Sequence, residues 1–156
     1  MHWPVDGPDF ISSCWTDIEA RGFLVAAVEG GAEGCDWAYT VGLHLTAGHP
    51  ELVLVGLDAA MAGGVLDSVG QRVVDGLVLG PGRPLQIGPV ELGLRPVDPL
   101  WRTHGDWFAL GRAVLARRAL PWPPTLQVVW PDQDGAVPEV PGDPRWSLRQ
   151  PLLAER

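Results

Sequence analysis

The chain has 156 residues, of which 46% are apolar and 19% are charged, with a formal net charge of −8. This composition is typical of an ordinary globular protein, and the length fits one domain over residues 1–156. No run approaches the ~18 apolar residues of a membrane span, no secretory signal opens the chain, and no basic cluster offers a nucleic-acid-binding face, so we expect a soluble cytoplasmic protein.

The first third of the chain predicts one helix followed by a β-hairpin. Asp6 can cap the helix, and apolar residues recur every three or four positions between Ile11 and Ile18. The stretch 23–29 reads as a strand, and a turn-rich connection leads into a second strand at 37–43. Along this second strand bulky side chains alternate with Ala, Thr and Gly, so we expect its bare face to lie close to another element.

The middle of the chain predicts a buried strand and its covering helix. Residues 52–57 form a continuous apolar run, which indicates a strand covered on both faces. Asp58 is a helix cap, and apolar residues then step by four from Met61 to Leu77, which predicts a helix that lies on the sheet. Residues 85–97 read as two short strands about Gly88-Pro89, or as one bent strand.

The last third predicts a third helix, a final strand and a long tail. Thr103 and Asp106 resemble a capping box at the start of the helix. Residues 125–130 predict a strand, followed by a tight turn at Asp134-Gly135 and an extended, proline-rich segment over about 131–156. Short sequential strands joined by hairpins predict an α+β fold, with a mostly antiparallel sheet of about five to seven strands covered by two or three helices; whether the sheet curls toward a barrel stays open.

Four short motifs resemble a known family. The segments YTVGL, HPEL, VWPD and a final Gln-Pro pair occur in this order between about Phe23 and Pro151. Together they are similar to the bacterial domain-of-unknown-function family 4262, although this chain has Val-Pro-Glu at 137–139, where we expect a further Trp. The family has no assigned reaction, so the resemblance implies no chemical role for the residues that belong to the shared motifs, which are His49, Glu51, Trp130 and Asp132.

The densest group of reactive side chains follows the second strand. His44, His49 and Glu51 lie within eight residues, and two imidazoles with a carboxylate are a set of ligands that zinc or iron accepts. Their spacing is not a metal signature by itself. A structural alternative therefore stands beside the metal site, in which His49 bonds to nearby backbone or pairs with Glu51 or Asp132.

Other catalytic templates are missing or incomplete. The chain contains neither Lys nor Asn, which removes Schiff-base chemistry, a P-loop and a Cys-His-Asn arrangement. Its two cysteines are too few for a disulfide framework. Tyr39 is a core aromatic or a hydrogen-bond donor at the floor of a pocket, and Asp132 belongs to a hairpin turn that could join the same pocket.

Two hypotheses of function remain. The first is a small-molecule or peptide binding module, with a pocket bordered by the YTVGL, HPE and WPD segments and a homodimer or protein partner as an open possibility. The second is an enzyme in which His49, Glu51, Asp132 and Tyr39 converge as acid-base groups or metal ligands, with a metal or a flavin as cofactor. Convergence in one concave pocket separates the two hypotheses.

Overall fold

The computed structural model describes residues 8–30, 34–147 and 149–155. In these residues, helices cover both faces of one β-sheet. The helices are α1 (Pro8–Arg21), α2 (Leu43–Ala47), α3 (Ala59–Val74) and α4 (Ala109–Ala116), with a 3₁₀ helix at Pro99–Arg102. The strands are β1 (Leu24–Val28), β2 (Trp37–Val41), β3 (Glu51–Val55), β4 (Leu85–Ile87), β5 (Val90–Pro96) and β6 (Thr125–Val129). Among the described residues, no helix has the length and apolar character needed to cross a membrane.

The sheet has the order β1-β2-β3-β6-β5-β4. Every neighbouring pair is antiparallel except β3 and β6, which run parallel with Glu51 opposite Thr125. The α+β fold and the mostly antiparallel sheet are therefore confirmed. In the part of the chain that the structure describes, β1 and β4 form free edges, so the sheet is open and is not a closed barrel.

The bare face of β2 lies beneath α3, as its alternation predicts. Ala38 is fully buried in one apolar cluster with Leu54 and Leu66, the last of which belongs to α3. On the other face of the sheet, Tyr39 packs with residues of α1 and α4, including Val114. The central strand β3 is buried along its whole length, because both of its faces are covered.

One detail of the helices differs from the expectations, and another cannot be compared. Met61 is 59% exposed, whereas the buried stripe of α3 runs through Ala62, Leu66 and Val69. A strict step of four drifts around a helix of 3.6 residues per turn, so the Met61 series cannot stay on one face. Asp6, the expected cap of the first helix, lies outside the described residues.

The start of the third predicted helix is also wrong. Asp98 accepts a hydrogen bond from the backbone N–H of Leu100 at 2.9 Å and so caps the 3₁₀ helix. The hydroxyl of Thr103 instead lies 2.9 Å from Nδ1 of His104, and α4 begins only at Ala109 with no side-chain cap. A proline at the first position favours an early helical turn, which moves the start of helical structure upstream of Thr103.

The C-terminal segment is held on the sheet by two fully buried glutamines. Gln127 of β6 donates to the carbonyl oxygen of Pro151 at 2.8 Å and accepts from the N–H of Leu153 at 2.7 Å. Gln150 accepts from the N–H of Trp130 at 3.0 Å and donates to its carbonyl oxygen at 2.8 Å. The segment is not extended throughout, because residues 144–147 form a turn in which the N–H of Ser147 donates to the carbonyl oxygen of Asp143, and it is docked on the sheet.

Candidate functional site

The carboxylate of Glu51 joins the YTVGL and HPE segments. Its side chain is buried at the start of β3, with 1% exposed. Oε1 accepts from the hydroxyl of Thr40 at 2.8 Å and from the N–H of Leu43 at 3.1 Å, and Oε2 accepts from the N–H groups of Gly42 at 3.0 Å and His44 at 3.3 Å. A carboxylate offers about four acceptor positions, so this one is saturated.

These bonds hold the short helix α2, where the sequence alone predicts a turn. Gly42 precedes the helix with φ 118°, and Gly48 follows it with φ 66°, a left-handed conformation that favours glycine. A Cβ atom at Gly42 would lie 2.8 Å from the carbonyl oxygen of Gly22. The glycine therefore lets the chain turn sharply into α2 and brings three N–H groups to Glu51.

Burial and hydrogen bonding act on Glu51 in opposite directions. Burial raises its pKa to about 7 from an ordinary value of 4.5, against the hydrogen bonds from Thr40, Gly42, His44 and Leu43, which lower the pKa. The charged and neutral forms are therefore both populated near neutral pH. Because each oxygen is already bonded to the protein, the carboxyl group has no position left for a substrate.

His49 has a structural role. The imidazole is buried, Nε2 accepts from the N–H of Leu79 at 2.9 Å, and Nδ1 lies 2.8 Å from the carbonyl oxygen of Pro50. These two partners require the neutral ring with its hydrogen on Nδ1. The side chain thus ties the start of β3 to the segment that follows α3, which agrees with the structural alternative.

The structure does not bring His44, His49 and Glu51 together as metal ligands. His44 is exposed, whereas the other two side chains are bonded to backbone groups. Within residues 8–30, 34–147 and 149–155, no three side chains of His, Cys, Asp or Glu are grouped so that they could hold a metal ion.

Tyr39 is a core aromatic. Its hydroxyl oxygen accepts a hydrogen bond from the N–H of Gly111 at 3.0 Å, and its ring packs edge-on against Phe108 and Trp122. Burial raises the pKa of its hydroxyl well above the usual range. Tyr39 therefore anchors α4 to the sheet. Its hydroxyl is buried and accepts a hydrogen bond from the protein itself.

Asp132 lies away from the other candidates. Its Oδ1 accepts from the N–H groups of Asp134 and Ala136, both at 2.9 Å, and the bond from Ala136 is the main cause that lowers its pKa. Because β6 runs parallel to β3 and Asp132 follows β6, it lies at the opposite end of the sheet from Glu51, beyond about 13 Å of strand. Asp132 therefore does not converge with Glu51 as the enzyme hypothesis requires, and the WPD segment does not border the cleft beside Glu51.

A cleft of about 800 Å³ opens beside α2 at the Glu51 end of the sheet. Small-molecule sites have volumes of roughly 300 to 1,000 Å³. One part of its wall is apolar and comes from Leu45, Leu115, Leu120 and Trp122. The charged and polar part comes from residues that include His44, Glu51, Arg102 and Arg112. We call this space the arginine cleft.

The two arginines of the cleft have no acidic partner among the described residues. A terminal nitrogen of Arg112 donates to the carbonyl oxygen of Gly105 at 2.9 Å, while its Nε is buried with no hydrogen-bond partner. Arg102 makes no side-chain hydrogen bond within the described part of the chain. Sequence analysis did not find this pair, because the residues lie on separate helices and form no local motif.

The comparisons with known proteins give one result. No curated protein and no solved structure matches the chain. A protein-family model described as "Domain of unknown function (DUF4262)" matches residues 17–144, which include all six strands and the residues of the arginine cleft. Since this match covers most of the sequence, the chain belongs to the DUF4262 family.

Proposed function

We propose that this protein is a small-molecule binding module, and that its ligand is an acidic molecule with an apolar body, held in the arginine cleft. One observation carries the proposal. Two guanidinium groups without an acidic partner line a concave, largely apolar space in a chain whose net charge is −8. An overall acidic surface would repel an anion. A local pair of arginines would attract an anion to this cleft in preference to the rest of the surface.

The chemistry of Arg112 supports an acidic ligand. A guanidinium binds a carboxylate or a phosphate through paired N–H groups, and Arg112 has its orientation restricted by the bond to Gly105. Its buried Nε lacks a partner, and a buried polar group without one costs about 1 to 3 kcal/mol. An anion would pair with the guanidinium, while Leu115 and Trp122 would contact the apolar body.

The same contacts favour binding over the enzyme hypothesis. The polar atoms of Tyr39, His49 and Glu51 already bond to the protein, so the acid-base groups that the hypothesis requires are engaged. The HPE segment borders the cleft through Glu51, and His44, which directly follows the YTVGL segment, also lines it. Its volume favours a small molecule over a peptide. A cytoplasmic location and a homodimer stay predictions.

The test compares charged ligands with neutral ones of the same shape. Calorimetric titrations would use hexanoate and nonanoate beside hexanamide and nonanamide, with the wild type, Arg112→Gln and Arg72→Gln. The matched control, Arg72, is exposed in the last turn of α3, on the opposite face of the sheet. We expect the carboxylates to bind the wild type more tightly than the amides do. Arg112→Gln should weaken the binding of the carboxylates about tenfold, and Arg72→Gln should leave their affinity unchanged. Equal affinity for acid and amide, full affinity in Arg112→Gln, or no binding at millimolar concentration would overturn the proposal.

A further inference from the structure

A second cleft adjoins the arginine cleft at the same end of the sheet. It has a volume of about 450 Å³, and Pro50, Arg95 and Glu155 lie in its wall. Arg102 and Pro124 line both clefts. Since the two spaces share these residues, the clefts are neighbours with a common wall at Arg102 and Pro124.

The sheet explains why the two clefts meet. β5 runs antiparallel to β6, with Pro96 opposite Leu126, so the end of β5 lies beside the start of β6. The start of β6 lies in turn beside the start of β3, where Glu51 is found. The last residues of β5 therefore bring Arg95 to the end of the sheet where the arginine cleft lies.

We propose that the two neighbouring clefts together bind one elongated ligand with two acidic groups, one held by Arg112 and the other by Arg95, with Arg102 between them. This inference rests on the proposed function, because it names the class of molecule that the arginine cleft accepts. Each of the three arginines lacks an acidic partner within 4.0 Å among the described residues. A ligand with a single acidic group, bound at Arg112, would leave Arg95 without an acidic partner.

Glu155 allows a second test, because neutralising it should change the binding in the opposite direction from neutralising Arg95. Its exposed side chain lines the second cleft with Arg95 but forms no ion pair there in the described structure. A negative charge at that position repels a second acidic group. Neutralising Glu155 should therefore tighten the binding of a ligand with two acidic groups, and neutralising Arg95 should weaken it.

The experiment compares dicarboxylates with monocarboxylates of equal length. Succinate, adipate and azelate would be titrated beside butyrate, hexanoate and nonanoate at about pH 8, where all are ionised. We expect at least one dicarboxylate to bind the wild type more tightly than its partner. Arg95→Gln should weaken that dicarboxylate about five- to tenfold, Glu155→Gln should tighten it about two- to fivefold, and neither should change the monocarboxylate. Arg72→Gln is again the control, and thermal melting of each variant checks that it is folded.

The outcomes separate this inference from the proposed function. If monocarboxylates bind through Arg112 while no dicarboxylate binds more tightly and Arg95→Gln has no effect, the two-group ligand is wrong and the arginine cleft stands. If no carboxylate binds at millimolar concentration, both proposals are wrong. Weaker binding of mono- and dicarboxylates alike in Arg95→Gln also contradicts the inference, because Arg95 would then not act on a second acidic group.

Discussion

Replacing Glu51 by glutamine keeps the shape of the side chain but removes its charge and one of its two acceptor atoms. In the wild type, four donors from Thr40, Gly42, Leu43 and His44 bond to the carboxylate. In Glu51→Gln an amide nitrogen, which cannot accept a hydrogen bond, replaces the oxygen that two of these donors face. The variant therefore tests which effect dominates at this site: the cost of burying a charge, or the gain from the hydrogen bonds that the charge accepts.

The magnitude follows from the pKa of Glu51. Burial raises this pKa to about 7 from an ordinary 4.5, and each unit corresponds to about 1.4 kcal/mol. A group whose pKa is higher in the folded state stabilises the fold fully below its unfolded pKa, and this contribution is lost as the pH rises through the folded pKa. The contribution of Glu51 is thus about 3 kcal/mol, present below pH 4.5 and lost by about pH 7.

Urea unfolding of both proteins at about pH 5.5 and about pH 8 measures this contribution. The difference in unfolding free energy between wild type and variant isolates Glu51, because every other titrating group is common to both proteins. We expect the wild type to lose about 2 kcal/mol relative to Glu51→Gln over this range. If the wild type gains stability relative to the variant as the pH rises, the four donors outweigh burial and the reasoning given above is wrong.

Three further variants test the other buried polar contacts. His49→Ala should lower the free energy of unfolding by about 1 to 3 kcal/mol, since the N–H of Leu79 loses its acceptor; an unchanged urea midpoint would contradict this. Tyr39→Phe should lower the free energy of unfolding by about 1 to 3 kcal/mol, because the N–H of Gly111 loses its acceptor. A melting temperature equal to that of the wild type would count against this. Gln150→Leu should speed hydrogen exchange and proteolysis in the C-terminal segment before the rest of the chain, and unchanged protection would refute its role as an anchor.

Local patterns predicted the elements that have strong periodicity. Alternation identified β2 and its bare face, and the continuous apolar run identified the buried strand β3. The helix α2 was missed, because five residues between two glycines carry no helical period and the capping group, Glu51, comes after the helix in the sequence. A cap that lies on a neighbouring strand leaves no local signal.

The sequence could not predict which candidate residues lie together, because that depends on how the strands pair. Sequence patterns identify β3 and β6 but do not say whether the two strands pair, or in which direction. Their parallel pairing separates Asp132 from Glu51 by the length of the sheet. The arginine cleft was missed for a related reason, since Arg102 and Arg112 meet only after the chain folds around the start of β6.

The position of β6 has a consequence for how the chain is synthesised. β6 lies between β3 and β5, so β3 has no neighbour on that side until the residues from Thr125 onward have left the ribosome. Until then the nascent chain has a strand that is apolar from Leu52 to Val55 and has a free edge, which is a template for aggregation. A product truncated before Thr125 should therefore precipitate or be degraded, and slow closure of this long-range pair should limit the folding rate of the whole protein.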